Sequence, residues 1–411
     1  MTASTLRSLI FTRTSKDTAI VFTGTLVNVL VGGLFFILAP RILGPSDFGL
    51  FSTVIATGML ATNIANFGID TGILRFAKGE DFNKILSIAL KSYLFLGFFI
   101  GILGASISPL IASFLNQSEL TNLFRIAFAA IIFLLLTNFF VAGLQAKEEF
   151  VKASLVNIVS NVLRLILLVL AVIFLKTGLT FITFIFFFVT IASVIFGRIF
   201  LSVKLQKIGK EKFFDFHKYN FWIAISLIVT TIPFDNYLLL MVAGPVQVGL
   251  YAAPFKILTV LHQLSSSFSR VLAPRFTSFD TNLKAKIFVL KSFTVVIPIA
   301  IILLLVAIFS APFINLIFGR DYEAATQVLK ILSIGFLFFF ASVIPSSVIL
   351  YYFGDSRVSF IVSVFRVFIF VVLLLILIGP YKAVGASWAF AITEIAVFSL
   401  SSIYAFSKIR K

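Results

Sequence analysis

The chain of 411 residues has no cysteine, only two histidines, and sixteen acidic residues against thirty-three Lys and Arg. Without thiols there is neither a disulfide framework nor a thiolate metal site. Two separated histidines, His217 and His262, do not make a histidine metal centre, so no metal and no cofactor is expected. Also lacking are a P-loop, a nucleophile elbow, paired catalytic carboxylates in a loop and metal-spaced histidines. The chain is therefore not expected to be an enzyme or to hydrolyse ATP itself. Charge is scarce as well, at 12% of residues against 60% hydrophobic, with a mean hydropathy of +1.13. A soluble core cannot hide that much apolar surface, so lipid must solvate it.

Apolar segments of about 20 residues, enough to cross a bilayer as helices, recur about twelve times. They fall near residues 18–39, 49–69, 90–113, 122–145, 152–175 and 178–202, then 218–241, 247–271, 287–310, 324–350, 357–379 and 383–406. This reads as an all-α polytopic membrane protein with a six-helix bundle over 18–202, a basic linker over 203–217 and a second bundle over 218–411. Residues 1–17 carry Arg7, Arg13 and Lys16 among apolar residues and read as an interfacial helix or a frayed tail. No cleavable signal is visible, because the first apolar run is long and lacks a small-residue cleavage site. No connection exceeds about 20 residues, which leaves no room for a soluble catalytic domain and favours a monomeric transport unit.

The formal charge of +17 does not mark a nucleic-acid partner, because the cations follow the loops. Arg75, Lys78 and Lys84 share one loop, Lys204, Lys207, Lys210, Lys212 and Lys218 the central one, and Arg275, Lys284 and Lys286 a third. By the positive-inside rule these loops and both termini are cytoplasmic.

The chain is also written twice. Gly44-Pro45-x-x-x-Gly49-Leu50-Phe51 returns about two hundred residues later as Gly244-Pro245-x-x-x-Gly249-Leu250-Tyr251. The same spacing pairs Arg75-Phe76 with Arg275-Phe276 and Lys91-Ser92-Tyr93 with Lys291-Ser292-Phe293, and a slightly drifted one pairs Arg164 with Arg366. An even number of helices per copy makes the copies parallel repeats related by an axis along the membrane normal. The Gly-Pro motifs then lie on the outer face as corners, with Gly44, Pro45, Gly49, Gly244, Pro245 and Gly249 read as scaffold.

The segment from Pro40 through Gly49, followed by Asn66-Phe67-Gly68-Ile69-Asp70-Thr71-Gly72-Ile73-Leu74-Arg75, resembles the start of Wzx-type polysaccharide flippases of the multidrug/oligosaccharidyl-lipid/polysaccharide (MOP) exporter superfamily. The resemblance implies a V-shaped, MATE-like transporter fold that rocks between inward and outward openings. It also implies a cargo of isoprenoid-pyrophosphate-linked oligosaccharide, membrane lipids as surroundings, and polymerase and ligase partners. The location implied is the bacterial inner membrane.

Ionisable residues inside predicted spans support such a cavity, being costly in lipid. Arg164 and Arg366 sit at repeat-equivalent positions, and their guanidinium forks suit pyrophosphate. Lys256, Arg270, Arg275 and Arg75 extend a cationic track, and Asn157, Ser160 and Asn161 share the Arg164 face for sugar hydroxyls. The other reading of these cations is interhelical ion pairing, backbone capping or interfacial anchoring. Asp235, Glu394 and Asp70 are candidates to couple transport to H+ or Na+. Alternatively, Asp235 pairs with Lys256 and Glu394 neutralises Arg366 or Arg164. Pro233, two residues before Asp235, is expected to kink its helix.

A flippase is thus expected. The rivals are a MATE-like, cation-coupled exporter of drugs or small metabolites, which acids and aromatics in the cavity would favour, and a membrane-embedded polymerase or glycosyltransferase, which would carry a larger outer loop.

Overall fold

A computed structural model describes residues 13–77, 79–174, 178–206 and 209–410, so Lys78, Lys207 and residues 1–12 of the expected interfacial segment lie outside the described residues. The described elements are helical throughout, with no strand among them. Among them, eight helical stretches are long and apolar enough to cross a membrane. Two of the eight, Leu30–Asn66 and Ser356–Ile409, belong to the runs Arg13–Asn66 and Ser356–Arg410, each of which covers two expected spans folded at Gly44 (φ 71, ψ 173) and Lys382 (φ 51, ψ −127). The expected seventh and eighth spans are too interrupted or too polar to be among the eight; they are the pairs Lys210–Thr231 with Phe234–Ala243, and Pro245–Leu258 with Val260–Phe276.

Sequence explains the interruptions. Proline pushes the residue before it out of the helical region, and Ile232, ahead of Pro233, is extended at φ −60, ψ 120. Pro233 therefore does more than kink its helix: it ends one and Phe234 starts the next. Helix faces follow residue size. On Phe82–Phe114, Gly97, Gly101, Gly104 and Ser108 are buried while Phe95, Phe98 and Ile102 are exposed, a small-residue packing seam backed by a lipid-facing surface.

The described residues form two compact units. One comprises the residues up to Phe35 together with Thr53–Pro233; the other comprises Phe36–Ser52 with the chain from Phe234 onward. This division departs from a cut at the 203–217 linker. Residues 36–52, expected with the first bundle, pack with the second, and residues 218–233 pack with the first.

The Gly-Pro repeats explain the first exchange. Gly44 and Gly244 take matching left-handed conformations, φ 71 and φ 81, and each is followed by a proline that opens the next helical run. One turn later the copies meet. A Cβ added at Gly49 would overlap the Pro245 carbonyl and lie 2.9 Å from the Gly249 nitrogen; a Cβ at Gly249 would overlap the Pro45 carbonyl and lie 3.0 Å from the Pro45 Cα. The contact is reciprocal, backbone against backbone. Gly49 and Gly249 are thus the packing surface where the two copies of the motif touch.

Candidate functional site

Arg164 and Arg366 occupy equivalent places in the repeat and unlike places in the structure. In the first unit Arg164 is buried on the Phe150–Phe174 helix. Its Nε and Nη2 donate to the Phe186 carbonyl at 3.2 and 2.9 Å, and its Nη1 donates to Asn161 Oδ1 at 2.6 Å. That carbonyl lies just before Val189, where the helices Leu179–Phe188 and Thr190–Phe200 are separated. The guanidinium also lies 4.1 Å from the Phe186 ring centroid. Asn161 Nδ2 in turn donates to Asn28 Oδ1 at 2.6 Å. Asn157 is half-buried, and its carbonyl accepts from Ser160 Oγ at 3.1 Å. Of the roles left open for Arg164, backbone capping is the one its contacts satisfy.

In the second unit Arg366 Nη2 meets Glu394 Oε2 at 3.1 Å. Glu394 is 3% exposed, whereas the Arg366 side chain is 36% exposed. Its Nε is buried without a partner among the described residues, so this guanidinium keeps spare donors. Phe339 carries both Arg366, 5.7 Å from its centroid, and the His262 ring, 4.3 Å away. His262, Ser266 and Arg270 are exposed at four-residue spacing on Val260–Phe276, with Gln263 beside them. Arg270 Nε donates to the Ser266 carbonyl at 3.3 Å. Ser266 Oγ likewise donates to the His262 carbonyl at 3.0 Å, which leaves the Arg270 Nη groups and the His262 ring as the polar groups that hydrocarbon would not satisfy and that call for water or a polar ligand.

A second polar group lies nearer the Gly-Pro corner. Asp235 is buried at the start of Phe234–Ala243; its Oδ2 accepts from the Tyr251 hydroxyl at 3.0 Å and its Oδ1 from the Asn236 N–H at 2.9 Å. Lys256 makes no ion pair with Asp235; its Nζ sits 5.6 Å from the Phe36 ring. In place of the Asp235–Lys256 bridge, the alternative to a coupling role, the carboxylate takes a neutral donor, Tyr251. Asn236 Oδ1 is buried here without a hydrogen-bond partner among the described residues.

The remaining candidates have contacts of their own. Asp70 sits in the first turn of Ile69–Phe76 and accepts from the Thr71 N–H at 2.8 Å, complementing the helix N-terminus. Arg75 is exposed and stacks on Tyr219, 4.3 Å from its centroid. Arg275 is exposed in a separate crevice beside Lys284 and Lys291.

The second unit thus carries a spare cationic donor, a polar helical stripe and a buried acid. Residues 14–280, well over half of the chain, match the model of a family described as polysaccharide biosynthesis protein. The chain belongs to that family. A comparison with curated proteins gave no match. Among solved structures, this family member is similar to a lipid II flippase MurJ in an inward closed conformation, with a TM-score of 0.77 at 17% identity over 95% of this chain and 90% of that one. It is also similar to an inward-facing multidrug resistance MATE family transporter of the MOP superfamily, with a TM-score of 0.74 at 15% identity over 94% of each chain. A third similar structure is a MOP superfamily transporter from Pyrococcus furiosus, described as having a binding pocket of reversed polarity, with a TM-score of 0.63 at 14% identity over 96% of this chain and 95% of that one. At such identities the likeness shows the fold, which is that of MOP transporters. The family member is a multi-pass membrane protein.

Sequence reasoning missed three parts of its polar machinery: Tyr251, Asn28 and the Phe186 carbonyl. Tyr251 left a signal. Asp235 and Tyr251 stand where the first copy has Phe35 and Phe51, so an apolar pair in one half is a hydrogen-bonded pair in the other. Asn28 left a weaker one, being a polar residue inside an apolar span. A backbone carbonyl leaves none.

Proposed function

We propose that this polysaccharide biosynthesis family member is a flippase. It carries isoprenoid-pyrophosphate-linked oligosaccharide repeat units from the cytoplasmic to the outer leaflet of a bacterial inner membrane, by alternating access and with both termini cytoplasmic. The observation that carries the reading is the exposed polar face of His262, Ser266 and Arg270 on one helix, with the half-buried Arg366 guanidinium sharing the Phe339 ring with His262. Pyrophosphate accepts from the solvent-side Nη groups of Arg366 and Arg270, and sugar hydroxyls meet the polar stripe. The isoprenoid tail stays in lipid, and no covalent step is needed. Dragging bare sugar through hydrocarbon would cost several kcal/mol for each unpaired hydroxyl, on the order of 5 kcal/mol. Asp235, buried against Tyr251, and Glu394, buried against Arg366, are the groups through which an H+ or Na+ gradient would drive the cycle. A polymerase and a ligase are the partners that would consume the product.

Reconstituted vesicles loaded with a fluorescent lipid-linked oligosaccharide test the proposal. Movement to the opposite leaflet above that in empty vesicles is expected, with loss of transport in Arg366→Gln at unchanged membrane insertion. Transport equal to empty vesicles would refute it. A buried acid beside aromatic residues, as at Asp235, also suits a cation-coupled exporter of small metabolites; efflux of a cationic dye without oligosaccharide transport would select that reading.

A further inference from the structure

Two crevices stand at matching places in the two copies of the repeat, and neither belongs to the polar stripe. In the second unit, Arg275, Lys284 and Lys291 border a crevice of about 560 Å³ whose other walls are mainly apolar, Phe268, Leu272 and Phe288 among them. All three cations are exposed, and none has a carboxylate within ion-pair distance among the described residues. Arg275 rests over the Phe288 ring at 5.8 Å. Lys284 and Lys291 are seven residues apart, two turns on one face of Asn282–Ile308.

In the first unit, Lys91 borders a crevice of about 410 Å³ walled by Phe67, Phe95, Leu96 and Phe213. Lys91 too is exposed and has no ion-pair partner among the described residues. Here Ser92 Oγ meets His217 Nε2 at 2.9 Å, while His217 Nδ1 meets the Phe213 carbonyl at 2.9 Å. A carbonyl only accepts, so Nδ1–H donates to it and Nε2 is the ring atom turned to the Ser92 hydroxyl. Lys91-Ser92 and Lys291-Ser292 are the same pair in the repeat.

A residue that only sets topology can sit anywhere in its loop. Lys91 and Lys291 lie instead roughly 13 Å inside their helices, each with an apolar wall beside its charge. Unpaired cations facing one crevice repel one another until an anion enters. Free phosphate would satisfy the charges and leave the apolar walls bare. A zwitterionic lipid would bring its own cation to the trio.

We propose that the two crevices bind an anionic phospholipid of the leaflet on the side of the Arg75 and Arg275 loops, cytoplasmic under the proposed orientation. The phosphate sits on Arg275, Lys284 and Lys291 in one site and on Lys91 in the other, with acyl chains against the phenylalanines. Basic pockets between transmembrane helices recognise headgroups in this way. The inference requires only that the chain spans a membrane.

The test is native mass spectrometry of the full chain in neutral detergent, titrated with phosphatidylglycerol and, separately, with phosphatidylcholine of the same acyl chains. Two retained phosphatidylglycerol molecules per chain are expected, in preference to phosphatidylcholine. The triple change Arg275→Gln, Lys284→Gln, Lys291→Gln weakens one site by about a hundredfold, and Lys91→Gln weakens the other by about fivefold. Lys284→Arg with Lys291→Arg keeps retention. Should the triple variant lose its thermal transition, Arg275→Gln alone carries the test, with about fivefold weakening expected. Equal retention of the two lipids, or unchanged retention in the charge-removing variants, overturns the proposal. Displacement of phosphatidylglycerol from the wild-type chain by lipid-linked oligosaccharide also overturns it and assigns the crevices to cargo. Vesicle transport reads the flippase proposal independently of all three results.

Discussion

Where the two copies of the Gly-Pro motif are alike they hold the fold, and where the copies differ around it they hold a buried acid and its donor. Gly49 and Gly249 do the same thing to each other. Arg164 and Arg366 do not: one is occupied by a carbonyl and an amide, the other by a single buried carboxylate with donors to spare. Position Phe35 is apolar and its counterpart Asp235 is an acid; Asp70 faces Arg270 across the same alignment. A duplicated scaffold thus let the second copy gather the exposed polar stripe, while in the first the equivalent cation became a structural pin.

The largest effect should come from the shared feature. Gly49→Ala and Gly249→Ala each push a methyl into backbone that cannot rotate away, costing about 3 kcal/mol or more. Thermal unfolding in detergent should show near-equal losses for the two; a neutral result at either position would break the reciprocity.

The arginine contrast comes next. Arg164→Gln abandons the Phe186 carbonyl and should lower stability by about 2 kcal/mol. Arg366→Gln should instead abolish vesicle transport while the variant stays folded. If the two substitutions gave the same stability and transport profile, the distinction between pin and ligand would fail.

At the third level, Tyr251→Phe restores the residue type of the first copy at that position and removes one donor from Asp235, a loss of about 1 kcal/mol. It should change the dependence of transport on an ion gradient, and Asp235→Asn should eliminate that dependence. An unchanged response in Asp235→Asn would leave this acid a structural role only.

The smallest effect lies in a loop. Lys212 and Lys84, donating to Asp81 Oδ1 at 2.7 and 3.2 Å, hold its carboxyl below the ordinary value of 3.8. A depressed carboxylate stabilises fully above its unfolded value, and that contribution fades as pH falls through the lowered one. Protease nicking near residue 80 should therefore rise only in acid, below about pH 4, and Lys212→Ala should blunt that pH dependence.

Much of this was legible in the residues. Hydropathy located the spans, the repeat fixed the doubled architecture, and the Gly-Pro copies marked the corners that Gly44 and Gly244 form. The Arg366–Glu394 pair was among the roles open to those residues. Three things were hidden. The partner of Arg164 is a carbonyl, which has no letter in the sequence. The Lys256 ammonium and Asp235 share a neighbourhood without touching, and depth along a helix says nothing of azimuth. The exchange of segment 36–52 between units depends on a backbone contact that exists only once Gly49 and Gly249 have come together.

The Gly49–Gly249 contact also bears on descent. Each glycine receives from the other copy what it gives, the self-complementarity of an isologous homodimer interface. A half-length ancestor carrying one Gly-Pro-x-x-x-Gly segment would already own both sides of this joint and could close it with a second molecule of itself. Fusing two such halves would require no new contact here; it would make the joint intramolecular and leave the two copies free to diverge.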